Sequence, residues 1–237
     1  MSYQASLPLI QNLALLLATA FLFDVVTSRR HTEQSLLWQV PTGFAIGAIG
    51  VIVMLTPWTF GQGIVFDTRS VLLGVSGIFF GTVPTVIAMS TTAAFRFYQG
   101  GTGAWTGVAV IITSGVIGII WRLLRHRPLH EISLCELYIL GLMVHLAMLA
   151  LMLTLPWATA LRVLSSIAVP VILIYPLGTV LIGVLMVNRL RRDQAEKTLR
   201  ESENRYRSLF NNSIDAVLLT APDGTILSAN PAACRMF

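Results

Sequence analysis

The chain has 237 residues, 55% of them hydrophobic and only 11% charged, with a mean hydropathy of +0.75. A soluble domain carries roughly a quarter charged residues, so this composition excludes an ordinary water-soluble globular fold. The formal charge of +5 does not indicate nucleic acid, because the arginines gather at the ends of apolar runs, where membrane anchoring and topology place them.

A membrane-crossing helix needs about 20 mostly apolar residues to traverse a hydrocarbon layer about 30 Å thick. Cutting the chain at its charges leaves six charge-free intervals, 1–23, 34–66, 70–95, 97–121, 137–161 and 163–188, and each holds a span. The expected fold is an all-α polytopic membrane helix bundle with six transmembrane helices, near 8–26, 36–56, 70–94, 104–122, 135–155 and 166–188. The first run lacks a basic start and a small-residue cleavage site, so it reads as a retained helix rather than a signal peptide. Turn chemistry separates the runs at TSRRHTEQS, TPWTFGQG, YQGGTG, RHRPLHE and LPWATA. Trp58, Trp105, Trp121 and Trp157 fall near predicted helix ends, as interfacial anchors do. Pro170 and Pro176 lie inside the sixth run and should bend it. Glycines recur at near-helical spacing at Gly43, Gly47 and Gly50, at Gly74, Gly77 and Gly81, and at Gly103, Gly107, Gly115 and Gly118, which suits close helix packing.

Six spans put both termini on one side. A cytoplasmic tail then places Arg69, Arg122, Arg125, Arg127, Arg189, Arg191 and Arg192 inside, and Arg29, Arg30, Arg96 and Arg162 outside. The positive-inside bias favours this orientation, with Arg29 and Arg30 arguing against it.

The third run is bracketed by charge. Asp67 and Arg69 open it, and Arg96, Tyr98, Gly100, Gly101 and Gly103 close it. The 26 residues between the arginines would span about 39 Å as one helix. The helix must tilt, which is the simpler geometry, or break at GIFFGTVP into two half-helices. Asp67 can pair with Arg69 only if the chain there is extended or bent, since residues two apart on a helix do not face each other. One reading is interfacial anchoring by snorkelling arginines. The functional reading is that one or both of Arg69 and Arg96 hold a carboxylate or similar anion in a polar cavity, since the planar guanidinium matches a carboxylate's geometry. In that reading Asp67 orients Arg69, Tyr98 assists, and Gly100 and Gly101 let the loop approach. His145, alone in its run, reads as an interhelical hydrogen-bond partner rather than a catalyst. No nucleophile–base pair or paired catalytic carboxylates accompany these residues. Cys135 and Cys234 form neither a disulfide framework nor a metal spacing, and no cofactor or metal is expected.

The run FDTRSVLLGVSGIFFGTVPTVIAMSTTAAFRFYQGGTGAWTGV resembles the signature region of the membrane sensor domain of the LytS–YhcK type, a 5TM receptor family. The resemblance rests on Asp67, Arg69, Gly74, Gly77, Gly81, Arg96, Gly100, Gly101 and Gly103. It implies a bacterial receptor joined to a histidine kinase, diguanylate cyclase or related output, and a small metabolite such as pyruvate as the signal.

After Asn188 the sequence turns to RLRRDQAEKTLRESENRYRSLFNNS. Leu199, Ser202, Tyr206 and Leu209 follow a spacing suited to a short parallel coiled coil, predicting a homodimer through this linker; an amphipathic helix lying on lipid is the alternative. Asp223-Gly224 then separates two strand-like runs as a tight hairpin, and Asn230-Pro231 supplies a helix start. The stretch from Glu201 resembles the opening of a PAS domain, too short to build a core. The predicted organisation is a transmembrane sensor domain at 1–188, a signalling linker helix at 189–204 and the start of a truncated PAS domain at 205–237. The predicted function is signal input from a small carboxylate at the bacterial inner membrane, with lipid as solvent, no nucleic-acid partner and a cytoplasmic C-terminus. A transporter of small anions and a passive dimeric anchor are the alternatives. No catalytic module is visible in the sequence, so kinase or cyclase activity would belong to a longer protein.

Overall fold

A computed structural model describes residues 36–55, 58–59 and 65–236. The predicted span at 8–26, Arg29, Arg30 and the side chain of Trp58 lie outside the described residues. The chain divides into two units, one ending at Arg189 and the other beginning at Leu190.

The first unit is helical apart from a short antiparallel pair, β1 (Trp58–Thr59) with β2 (Val65–Phe66). Helix α1 (Leu36–Leu55) precedes this pair, and α2 (Arg69–Phe79) and α3 (Thr82–Gln99) follow it. Next come α4 (Ala104–Leu124), α5 (Leu134–Leu151) with a 3-10 turn at Met152–Thr154, and α6 (Trp157–Asn212). Among the described residues four helices are long and apolar enough to cross a membrane: α1, α4, α5 with its 3-10 turn, and α6.

Of the two geometries open for the third predicted span, a tilted helix and a break within GIFFGTVP, the structure has the break. The span breaks at Gly81, whose φ of 88° and ψ of −170° fall where L side chains are strongly disfavoured. Pro84 then enters the first turn of α3, where its missing N–H removes no intrahelical bond. The freed carbonyls of Ile78 and Phe79 accept Arg122 Nη1 from α4, at 2.9 and 3.1 Å. Across the break, Ser76 and Thr85 share a hydroxyl–hydroxyl bond of 2.9 Å. Inside a bilayer each backbone polar group must find such a partner within the protein, and here a basic side chain supplies it.

The break reverses the chain. An added Cβ at Gly77 would lie 2.6 Å from the Gly118 carbonyl carbon, and one at Gly107 would meet both Arg69 and Arg96. Helix α2 therefore runs parallel to α4, and α3 returns antiparallel to it. Helix α1 lies parallel to α3 through the ridge of Gly43, Gly47 and Gly50, which abuts Pro84, Ile87, Thr91 and Thr92. At 11 residues, α2 is about 16 Å long, too short to cross the hydrocarbon layer by itself. Arg69, expected on the opposite side from Arg96, is thus at the same end of the bundle. Every residue of α2 is buried, as expected for a helix that is apolar around most of its circumference.

Helices α5 and α6 run antiparallel, with Gly141 against Pro176 and Thr179 and Gly183 against Leu137. This puts Arg189 at the Arg122 end. At that end Glu136 accepts Trp121 Nε1 at 3.1 Å and Arg125 Nε at 2.6 Å, tying α5 to α4. Trp105 and Trp157 are exposed at the starts of α4 and α6, consistent with interfacial anchoring. Pro170 and Pro176 sit within α6 without ending it.

Helix α6 is continuous through 188 and 204 to Asn212, so neither predicted linker limit is a helix end. Strands β3 (Leu218–Thr220) and β4 (Ile226–Ala229) pair antiparallel around the expected Asp223-Gly224 turn. Asn230 Oδ1 accepts Ala233 N–H at 2.8 Å and Val217 N–H at 2.9 Å, capping α7 (Pro231–Met236) as expected and pinning the strand entry.

Candidate functional site

Asp67 directly precedes α2, where the chain is not yet helical. Its Oδ1 accepts the Arg69 backbone N–H at 3.0 Å, a local turn of the kind short carboxylates favour. Its Oδ2 lies 3.4 Å from Arg69 Nη1. The bent approach is the condition the sequence set for this pair. Both side chains are buried, and among the described residues neither Asp67 Oδ2 nor Arg69 Nη1 makes a hydrogen bond. Arg96 reaches the same region from the last turn of α3, only 2% exposed, and donates Nη1 to the Gly100 carbonyl at 2.9 Å. Both arginines are buried within the bundle, an arrangement that disfavours the snorkelling reading.

Gly107 of α4 is where the two guanidinium groups converge. A Cβ there would lie 2.6 Å from Arg96 Nε and 3.3 Å from Arg69 Nη2. Asp67, Arg69, Ser70, Arg96, Thr106 and Gly107, with apolar Met148, Met152 and Leu155 opposite, line a cavity of about 30 Å³. That is space for about two waters or a group of a few heavy atoms. Among the described lining residues one carboxylate faces two guanidiniums. Two guanidiniums this close repel each other, so an anion between them would be stabilised.

The wall is held by polar contacts between helices. Ser70 Oγ lies 3.2 Å from His145 Nε2, and His145 Nδ1 lies 2.6 Å from the Gly141 carbonyl. Thr106 and Thr154 share a hydroxyl bond of 2.9 Å between α4 and the 3-10 turn. His145 is thus the interhelical partner the sequence suggested.

A family model for a membrane receptor domain, described as 5TMR of 5TMR-LYT, matches residues 20–189. The chain belongs to this 5TM receptor family. A PAS domain model matches residues 204–237. Sporulation kinase E of Bacillus subtilis (strain 168) is 40% identical over 53 residues, which is 20% of this chain and 7% of the kinase. The chain therefore aligns with only a small part of that curated relative. No solved structure matches. Together the receptor domain and the PAS segment make this a multi-pass membrane sensor's input region.

Within this 5TM receptor domain, the residues chosen from sequence are only partly brought together. Asp67, Arg69 and Arg96 meet, and Gly100 contributes its carbonyl to Arg96. Tyr98 does not join them: it follows Arg96 by two residues on the same helix, faces away and is 85% exposed. Gly101 adopts a φ of 90° in the turn beyond α3 and lines no part of the cavity. Ser70, Thr106 and the part played by Gly107 were not picked out by sequence. Gly107 stood among the packing glycines, and the two hydroxyls carry no local signature.

Proposed function

We propose that the cavity between Arg69 and Arg96 receives a small carboxylate and that its occupancy is the signal this input region relays. The observation that carries the reading is the convergence of two buried guanidiniums on Gly107, with Asp67 the one carboxylate among the described lining residues. An occupied site would draw α2, α3 and α4 together, because Arg69, Arg96 and Gly107 belong to these three helices. Signalling requires two packing arrangements whose balance the ligand biases. A PAS segment and a kinase relative support an output beyond this region, of the histidine kinase or cyclase kind.

The reversed hairpin supports one orientation. With Arg69 grouped beside Arg96, Arg122, Arg125, Arg127 and Arg189 gather at the opposite end, followed in sequence by Arg191 and Arg192. By the positive-inside rule that end is cytoplasmic, the C-terminus is inside and the cavity lies toward the outer face of the inner membrane. The exposed Leu199, Tyr206 and Leu209 support homodimerisation through the helix that follows.

Binding of acetate and pyruvate to the chain in lipid nanodiscs, with R69A and R96A beside it, tests the reading. Loss of binding in both variants is expected; unchanged affinity in both rejects the site. The broken α2–α3 pair also suits an anion transporter, and uptake of labelled acetate into proteoliposomes would select that reading instead. Impermeant thiol labelling of T102C from outside intact cells tests the orientation, and labelling only after permeabilisation reverses it.

A further inference from the structure

The cavity is not a plain anion hole. Its lining pairs the cationic donors with two acceptors whose hydrogen-bonding capacity is unmet. Asp67 Oδ2 is buried and makes no hydrogen bond among the described residues. Its ion pair with Arg69 at 3.4 Å leaves that oxygen without a hydrogen bond, which a buried acceptor seeks.

The second acceptor is fixed by His145. The Gly141 carbonyl only accepts, so the proton at their 2.6 Å contact sits on His145 Nδ1. A neutral ring then has Nε2 as an acceptor, and it takes the hydroxyl proton of Ser70 at 3.2 Å. A charged ring would want an acidic partner; among the described residues its polar contacts are Ser70 and Gly141. Ser70 Oγ therefore offers the cavity lone pairs and no proton.

We infer that the ligand is a short 2-hydroxycarboxylate: its carboxylate meets Arg69 and Arg96, and its hydroxyl donates to Asp67 Oδ2 or Ser70 Oγ. This deepens the carboxylate reading and rests on it. A plain or 2-oxo acid fills the anion position but donates no hydrogen bond to either acceptor. An amino acid supplies a donor, but brings its ammonium beside two guanidiniums that repel it. The small cavity volume and the walls of Met148, Met152 and Leu155 limit the carbon chain to two or three atoms.

The test is calorimetric titration of the full chain in nanodiscs with four acids and glycine. Glycolate is compared with acetate, L-lactate with pyruvate, and glycine with glycolate. Each hydroxy acid is expected to bind at least about tenfold tighter than its counterpart, the ratio that one hydrogen bond to a charged group supplies. Glycine should bind more weakly than glycolate. D67N, whose amide oxygen can still accept the Arg69 N–H, should shrink both hydroxy-acid ratios severalfold, and S70A should shrink them less. Equal or reversed ratios in the unmodified chain overturn the inference while leaving the anion site intact. Glycine binding more tightly than glycolate also overturns it, in favour of an amino-acid site. Failure of all the acids to bind removes the underlying site as well. The unmodified chain alone decides the central comparison, so a variant that fails to fold leaves the test standing.

Discussion

Replacing Gly81 by alanine separates a broken helix from a continuous one by the sign of the effect. In a continuous span Gly81→Ala would stabilise, because glycine within a helix costs about 0.5–1 kcal/mol relative to alanine. In this structure Gly81 adopts φ 88° and ψ −170°, a region that costs an L residue about 1–3 kcal/mol. Sterics do not confuse the result: the nearest atom to an added Cβ is Arg122 Cζ at 3.5 Å, an ordinary contact. The expected outcome is a loss of about 1–3 kcal/mol, read from denaturant titration in mixed micelles with the wild type alongside. Acetate affinity should fall as well, since relaxing the turn moves α2 and hence Arg69 relative to Arg96. A stabilised Gly81→Ala variant with unchanged binding would refute the reversal at Gly81.

Three other substitutions probe the same architecture. Gly77→Ala should destabilise by about 1–3 kcal/mol, the usual cost of overpacking. Its Cβ would press to 2.6 Å on the Gly118 carbonyl carbon and the Ile119 nitrogen, and backbone yields poorly; a neutral result in the same titration would mean that α2 and α4 are not in this contact. Arg122→Ala should cost about 1.5–3 kcal/mol by stripping a charged donor from the Ile78 and Phe79 carbonyls. Arg122→Lys should recover part of that loss, and equal melting of all three proteins would refute the cap. Asn230→Ala should lose about 1 kcal/mol of local stability. Hydrogen exchange would show this as faster exchange at the Val217 and Ala233 amides, both bonded to Asn230 Oδ1, and unchanged rates there would exclude the double cap.

Several features were legible because their causes are local. Each apolar run from Leu36 onward became helix, since backbone groups in lipid must bond within their own segment. The Asp223-Gly224 hairpin and the Asn230 cap follow from turn chemistry spread over a few residues. Asp67 meeting Arg69 was conditional on a bent chain, and the structure meets that condition. The membership of Ser70 and Thr106 in the cavity was not legible. Ser70 faces His145 from 75 residues away and Thr106 faces Thr154 from 48, and no spacing rule reaches across such separations.

Composition and the placement of charge determined by themselves that this polypeptide lives in a bilayer, with arginines at the ends of its apolar runs. They could not say on which side Arg69 lies. A single tilted span and a folded-back pair of helices present the same residues in the same order, and hydropathy carries no direction. The choice was made by tertiary contacts: Gly77 pressed against Gly118, the carbonyls of Ile78 and Phe79 captured by Arg122, and both guanidiniums closing on Gly107. Groups buried in a low-dielectric interior must find partners wherever the fold supplies them, and that requirement brings the two ends of the bracket into one site.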